Sequence, residues 1–159
     1  MTPAERLLKV MRLTVQKIKK IRPVFPHGVN QSFVLKYGQS YEPQPLPKGF
    51  RMGQPKQCYF NSAVQAVRKP NLIYVEGFAI GKGFPDIHHA WLVERGSNKV
   101  IDRTTVFDAY FGIPFRTAFV RKQWNTSDGL PIMGDVEGGG YPLFEMTDAE
   151  IRAVIESPT

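Results

Sequence analysis

The chain has 159 residues, 42% of them hydrophobic and 22% charged, the composition of one globular domain with a substantial core. No stretch approaches the ~18 apolar residues of a membrane span, the N-terminus lacks a signal-peptide plan, and a single cysteine excludes an intrachain disulfide and favours a reducing, cytoplasmic setting. The net charge of +7 is uneven: residues 1–22 hold seven basic side chains and one acid, a net of +6, which leaves +1 for the rest.

Thr2-Pro3-Ala4-Glu5 is a capping box with proline at the first helical position. Leu7, Leu8, Met11, Val15, Ile18 and Ile21 then recur at helical spacing and predict an amphipathic, basic helix from about 3 to 21, stopped by Pro23. Residues 23–57 are rich in Pro, Gly and Gln, with Phe33 to Tyr37 read as a short strand and Tyr41 to Lys48 as extended or looped. Cys58 to Val67 is compatible with a helix. Asn71 to Ile80, His88 to Glu94 and Lys99 to Thr105 have strand composition, the last two joined by the hairpin signal Arg95-Gly96-Ser97-Asn98. Tyr110 to Phe115 reads as a loop and Arg116 to Trp124 as a further strand. The segment 126–142 is Gly-rich, and Thr147-Asp148-Ala149-Glu150 caps a last short helix through Glu156. The plan is α+β: a cysteine helix packed on an antiparallel sheet, in a single domain over 1–159 with a core at 53–124.

Cys58, His89 and Asp102 stand in an order and in contexts suited to a thiol-based triad. Cys58 follows a Gly/Pro loop at a predicted helix start, where the helix dipole and unpaired N–H groups favour a thiolate. His89 would take the thiol proton and later protonate a leaving amine, and Asp102 would fix its tautomer. With the turn centred near Ser97, residue 89 pairs roughly with residue 105, so Asp102 falls within one or two pairs of His89. Gln54 and Gln57 are candidate oxyanion donors just upstream of the cysteine. His88 alternates to the other face of its strand, so only one of the two histidines can face Cys58. Glu76 is a spare carboxylate on a neighbouring strand.

The segments Tyr74-Val75-Glu76-Gly77-Phe78-Ala79, His89-Ala90-Trp91 and Val100-Ile101-Asp102-Arg103-Thr104, placed after a cysteine at a helix start, resemble the transglutaminase-like superfamily of papain-like cysteine enzymes. The resemblance covers residues 53–106, with gaps of 31 residues from Cys58 to His89 and 13 from His89 to Asp102. It implies a papain-like core and a Cys-His-Asp triad that forms a thioester from a protein or peptide amide, as a protease, amidase or glutamine deamidase does. Hydrolysis is expected over cross-linking, since nothing in the sequence marks a site that excludes water.

The competing reading is a catalytically silent module of the same fold. There the basic helix, through Lys17, Lys19 and Lys20, would engage nucleic acid or an acidic protein. One cysteine, the adjacent His88 and His89 and a distant His27 do not match a zinc-ligand spacing, so neither a metal nor a cofactor is expected. Gly138-Gly139-Gly140 lacks the lysine and helix of a phosphate loop.

Overall fold

The computed structural model describes residues 1–21, 30–125, 130–134 and 142–157. Arg22, Pro23, His27 and Gly138 to Gly140 lie outside the described residues, as does most of the Gly-rich segment 126–142. Within them the protein is α+β, with six helices and a curled antiparallel sheet of five strands.

Helix α1 (Pro3–Ile21) begins with the reciprocal bonds of its capping box. The Thr2 N–H donates to Glu5 Oε2 at 2.6 Å, and the Glu5 N–H donates to Thr2 Oγ1 at 3.2 Å. Leu7 and Met11 bury its inner face, while Lys17, Lys19 and Lys20 are exposed. The first correction follows at once: residues 30–37 form helix α2 (Asn30–Tyr37), where a strand over 33–37 is expected from composition. Phe33 and Val34 look β-forming in isolation, but as neighbours on one helical face they bury together against α1. Tertiary packing outweighs propensity in so short a window.

The strands are β1 (Gln39–Tyr41), β2 (Leu72–Ile80), β3 (Ile87–Glu94), β4 (Val100–Ile101) and β5 (Ala109–Phe115), in the spatial order β1-β5-β2-β3-β4. The chain therefore does not run on as a simple meander after β4. It crosses back, and β5 pairs with the far side of β2.

Residues 110–115 are strand where the sequence suggests a loop, because Gly112 and Pro114 read as breakers. Each has a structural reason. A Cβ on Gly112 would sit 2.7 Å from Trp91 Cη2 and 2.9 Å from the Glu76 carbonyl, so only glycine lets the indole lie against β5. The Pro114 carbonyl accepts from the Glu156 N–H at 2.9 Å on the side away from β2. Its nitrogen faces that same side, where no ladder bond to β2 is lost.

Residues 117–124, expected as a strand, are helix α4 (Thr117–Trp124), which buries Val120. Helix α5 (Pro142–Glu145) and helix α6 (Asp148–Val154) complete the chain. α6 starts from a capping box in which Thr147 Oγ1 accepts from the Glu150 N–H at 3.3 Å and Glu150 Oε2 accepts from the Thr147 N–H at 2.7 Å.

Strand alternation divides the sheet into two apolar faces. Tyr74, Phe78, Ala90, Leu92, Ile113 and Phe115 meet the helices and form the main core with Leu7, Met11, Phe33, Val34, Ala63 and Val120. Ile73, Val75, Trp91, Val93, Val100 and Tyr110 form a second cluster on the opposite face. The sheet curls round this second cluster. A bridge from Glu42 to Lys99 joins the end of β1 to the start of β4, with Glu42 N–H to Asn98 O and Val100 N–H to Glu42 O both at 2.9 Å. Tyr41, Trp91 and Tyr110 stack edge-on inside the curl, with ring centroids 5.6 and 5.0 Å apart.

Candidate active site

Helix α3 (Cys58–Arg68) packs on β2 and β3 and puts Cys58 at its first position. Cys58, Asn61, Ser62, Ala63 and Ala66 are the residues it buries, all small enough to bring the helix close to the sheet. The residue before the helix, Gln57, makes no side-chain cap bond, so no side chain of the cap residue competes for the first-turn N–H groups.

The loop leading into Cys58 is clamped by residues that sequence reasoning passed over. Asn61, one turn into α3, accepts from the Gln54 N–H at 3.1 Å and donates to the Gln54 carbonyl at 2.8 Å and to Thr104 Oγ1 at 2.9 Å. Gly53 is required beside it, since a Cβ there would run into the Asn61 amide. Arg103 reaches across to the carbonyls of Arg51, at 2.8 Å, and Asn61, at 3.0 Å, while its own carbonyl accepts from the Gly53 N–H at 2.7 Å. The approach to the cysteine and the segment after Asp102 are thus one hydrogen-bonded unit. The only sequence signals were an asparagine one turn after the cysteine and the threonine two residues after the aspartate.

His89 lies on β3, on the same face as Trp91, and is 4% exposed. Its Nε2 lies 2.6 Å from Asp102 Oδ2. Asp102 hydrogen-bonds the ring, and Cys58 is near enough to act on its charge. With Nε2 taken by the carboxylate, Nδ1 is the nitrogen left for the thiol. Burial alone would lower the pKa of this imidazole. The hydrogen bonds and negative charge of Asp102 and Cys58 outweigh it and raise the value to about 9. At neutral pH the ring is therefore an imidazolium, the setting in which a neighbouring cysteine is activated as a nucleophile.

Asp102 does not continue β4, and the register explains how it still meets His89. The observed pairs are Leu92 with Ile101 and Val93 with Val100, which by extension would set residue 104, not 105, opposite residue 89. β4 ends at Ile101 because Asp102 Oδ1 accepts from its own downstream backbone, Thr104 N–H at 2.9 Å and Thr105 N–H at 3.1 Å. The expected strand through Thr105 is cut short by that turn. Oδ2 is left for His89 and for the Tyr110 hydroxyl, which donates to it at 3.0 Å and accepts from the Phe107 N–H at 2.7 Å. A carboxylate with this many donors is fixed in direction. Burial raises the pKa of Tyr110 first, and the charge of Asp102 raises it further, so its hydroxyl stays a donor. Phe107 stands edge-on to the His89 ring at 5.0 Å and shields it. Tyr110 comes from β5, and nothing in its local sequence connects it to the site.

His88 and Glu76 occupy the opposite face of the sheet. Glu76 is fully buried and accepts from the Ile132 N–H at 2.7 Å, the Met133 N–H at 2.8 Å and the Tyr74 hydroxyl at 2.7 Å, with His88 Nε2 3.1 Å from Oε1. Glu76 is therefore no substitute for Asp102. It anchors residues 130–134 to β2. Among the described residues no group of three or more His, Cys, Asp or Glu could hold a metal ion, and no helix is long and apolar enough to cross a membrane.

Removing the Asp102 charge lowers the pKa of His89 from about 9 towards its ordinary 6.5. If the ring protonates a leaving amine, activity falls as pH rises through that pKa. Asp102→Asn is expected to move the basic limb of the kcat/KM profile to lower pH by at least about one unit. An unmoved limb would mean that some other group titrates there.

Comparison of the chain with models of known families, with curated proteins and with solved structures finds no match.

Proposed function

We propose that this protein is a cysteine-nucleophile acyl-transfer enzyme with a papain-like, transglutaminase-like core that acts on protein or peptide amides. The observation that carries the reading is a buried imidazole with a fixed carboxylate 2.6 Å from its Nε2 and the chain's single thiol near enough to raise its pKa. The order of the three residues and their resemblance to the superfamily's segments point the same way.

In this mechanism the Cys58 sulfur attacks the amide carbon. Negative charge builds on the carbonyl oxygen, where the Cys58 N–H at the start of α3 donates, with the Gln54 and Gln57 amides just upstream as the candidate side-chain donors. His89 passes its proton to the amine, which leaves, and a thioester to Cys58 remains. The now neutral His89 takes a proton from water as the water attacks the thioester. Collapse releases the carboxylic acid and restores the thiolate and the imidazolium. Asp102 holds Nε2 throughout and does not exchange its charge.

The test is to trap the acyl group. Wild-type protein mixed with peptide amide or ester substrates, quenched in acid and weighed intact, should carry the acyl mass on the peptide that contains Cys58, and hydroxylamine should remove it. Acyl mass on any other residue, or turnover with no acylated species under rapid quench, would contradict a thioester on Cys58.

A further inference from the structure

A cavity of about 360 Å³ at the start of α3 is lined by Lys56, Gln57, Tyr59, Phe60, Trp124 and Leu130. Four of these six residues flank Cys58 in sequence. The other two come from the end of α4 and from the 130–134 segment that buried Glu76 pins through Ile132 and Met133. The cavity is therefore built by three separate parts of the chain, one of which is the start of the helix that carries Cys58.

Its lining is aromatic. Phe60 is 50% exposed, and its ring lies 5.5 Å from that of half-buried Trp124. Tyr59 spends its hydroxyl on the His88 carbonyl at 3.3 Å, so what it offers the cavity is its ring. A volume near the lower end of small-molecule sites, ~300–1,000 Å³, suits one large side chain with its backbone and excludes a folded element. Among the described residues Lys56 is the one charged residue that lines the cavity, and no carboxylate lines it. Its backbone is held at φ +62°, the left-handed region that side chains other than glycine rarely adopt. That conformation fixes where the lysine stem leaves the loop.

We propose that this cavity is a substrate subsite for a large aromatic side chain, in a peptide whose neighbouring residue is acidic and pairs with Lys56. The proposal rests on the reading of Cys58 as the nucleophile and adds the class of substrate. Ring-on-ring contact with Phe60, Trp124 and Tyr59 selects an aromatic group over a small one, and the Lys56 ammonium, without a carboxylate partner among the described residues, selects an anion over a cation.

Binding tests this without requiring reaction. Cys58→Ser is titrated with the blocked tripeptides Asp-Phe-Asp, Asp-Ala-Asp and Lys-Phe-Lys, and tryptophan emission is followed. Of the two tryptophans, Trp91 is fully buried, so the response reports on Trp124. Asp-Phe-Asp should bind about tenfold more tightly than Asp-Ala-Asp and more tightly than Lys-Phe-Lys. Phe60→Ala, at an exposed position, should erase the first preference, and Lys56→Met the second. The lysine variant separates a local pairing from the general pull of a basic protein. Equal affinity for the Phe and Ala peptides, or a charge preference that survives Lys56→Met, would overturn the subsite. Iodoacetamide, too small to need the cavity, reports separately on Cys58 in the wild type. An unreactive thiol with the peptide ranking intact would sink the catalytic reading and leave a peptide-binding site. A reactive thiol without the ranking would sink the subsite alone.

Discussion

Cys58→Ala is expected to lower turnover of any amide substrate by about a thousandfold or more, and His89→Ala by nearly as much. The two groups act as one unit, so the double variant should be no worse than the worse single variant. Neither change should unfold the protein. Cys58 sits at the start of α3 rather than in the main core, and His89 stands at the edge of the second cluster, against Phe107. Circular dichroism and the denaturation midpoint check that point while amine release is assayed. Additive losses would mean that the thiol and the imidazole work independently, and Cys58→Ala with full activity would remove the nucleophile from the mechanism.

The second large effect concerns stability rather than chemistry. Glu76→Ala deletes a fully buried carboxylate that accepts from two backbone N–H groups and a tyrosine hydroxyl. Those donors would be left buried without an acceptor, and the expected cost is about 3–5 kcal/mol. Glu76→Gln should also destabilise, because one end of an amide presents N–H to a backbone N–H. Urea unfolding measures the loss, and hydrogen exchange at Ile132 and Met133 locates it. A change below about 1 kcal/mol, within the range of an exposed pair, would mean that the 130–134 segment does not depend on Glu76. If the segment is released, Leu130 leaves the aromatic cavity, so this carboxylate on the far face of the sheet also supports the proposed subsite.

The parts of the fold legible in the sequence were those where local chemistry and tertiary packing agree. The capping boxes at Thr2 and Thr147 start α1 and α6, the turn at Arg95–Asn98 joins β3 to β4, and α3 begins at Cys58. Where short segments carry mixed signals, packing decided against propensity. Phe33-Val34 has strand composition but is held in a helix by α1, and Phe119-Val120 is held likewise by the sheet face. β5 was hidden by Gly112 and Pro114, which read as breakers until one is seen beneath Trp91 and the other with its nitrogen turned away from β2.

The site divides along the same line. Period-two alternation is enough to send His88 and His89 to opposite faces, and hairpin arithmetic brings Asp102 near His89 to within a residue or two. The residues that set their geometry come from elsewhere in the chain. Tyr110 arrives on β5 from beyond β2, and Asn61 and Arg103 join two loops about fifty residues apart. No local pattern announces a contact of that range.

In the proposed mechanism His89 activates Cys58, and the rate of iodoacetamide alkylation at pH 7 reads that activation at one atom, because the chain has one cysteine. The rate is measured on the folded wild type, on folded His89→Ala, and on each chain unfolded in urea as an internal standard. Folded wild type should react faster than its own unfolded chain, and His89→Ala should lose about tenfold or more of that rate. A folded thiol that reacts no faster than the unfolded one, with no change in His89→Ala, would contradict the Cys–His pair and with it the proposed enzyme.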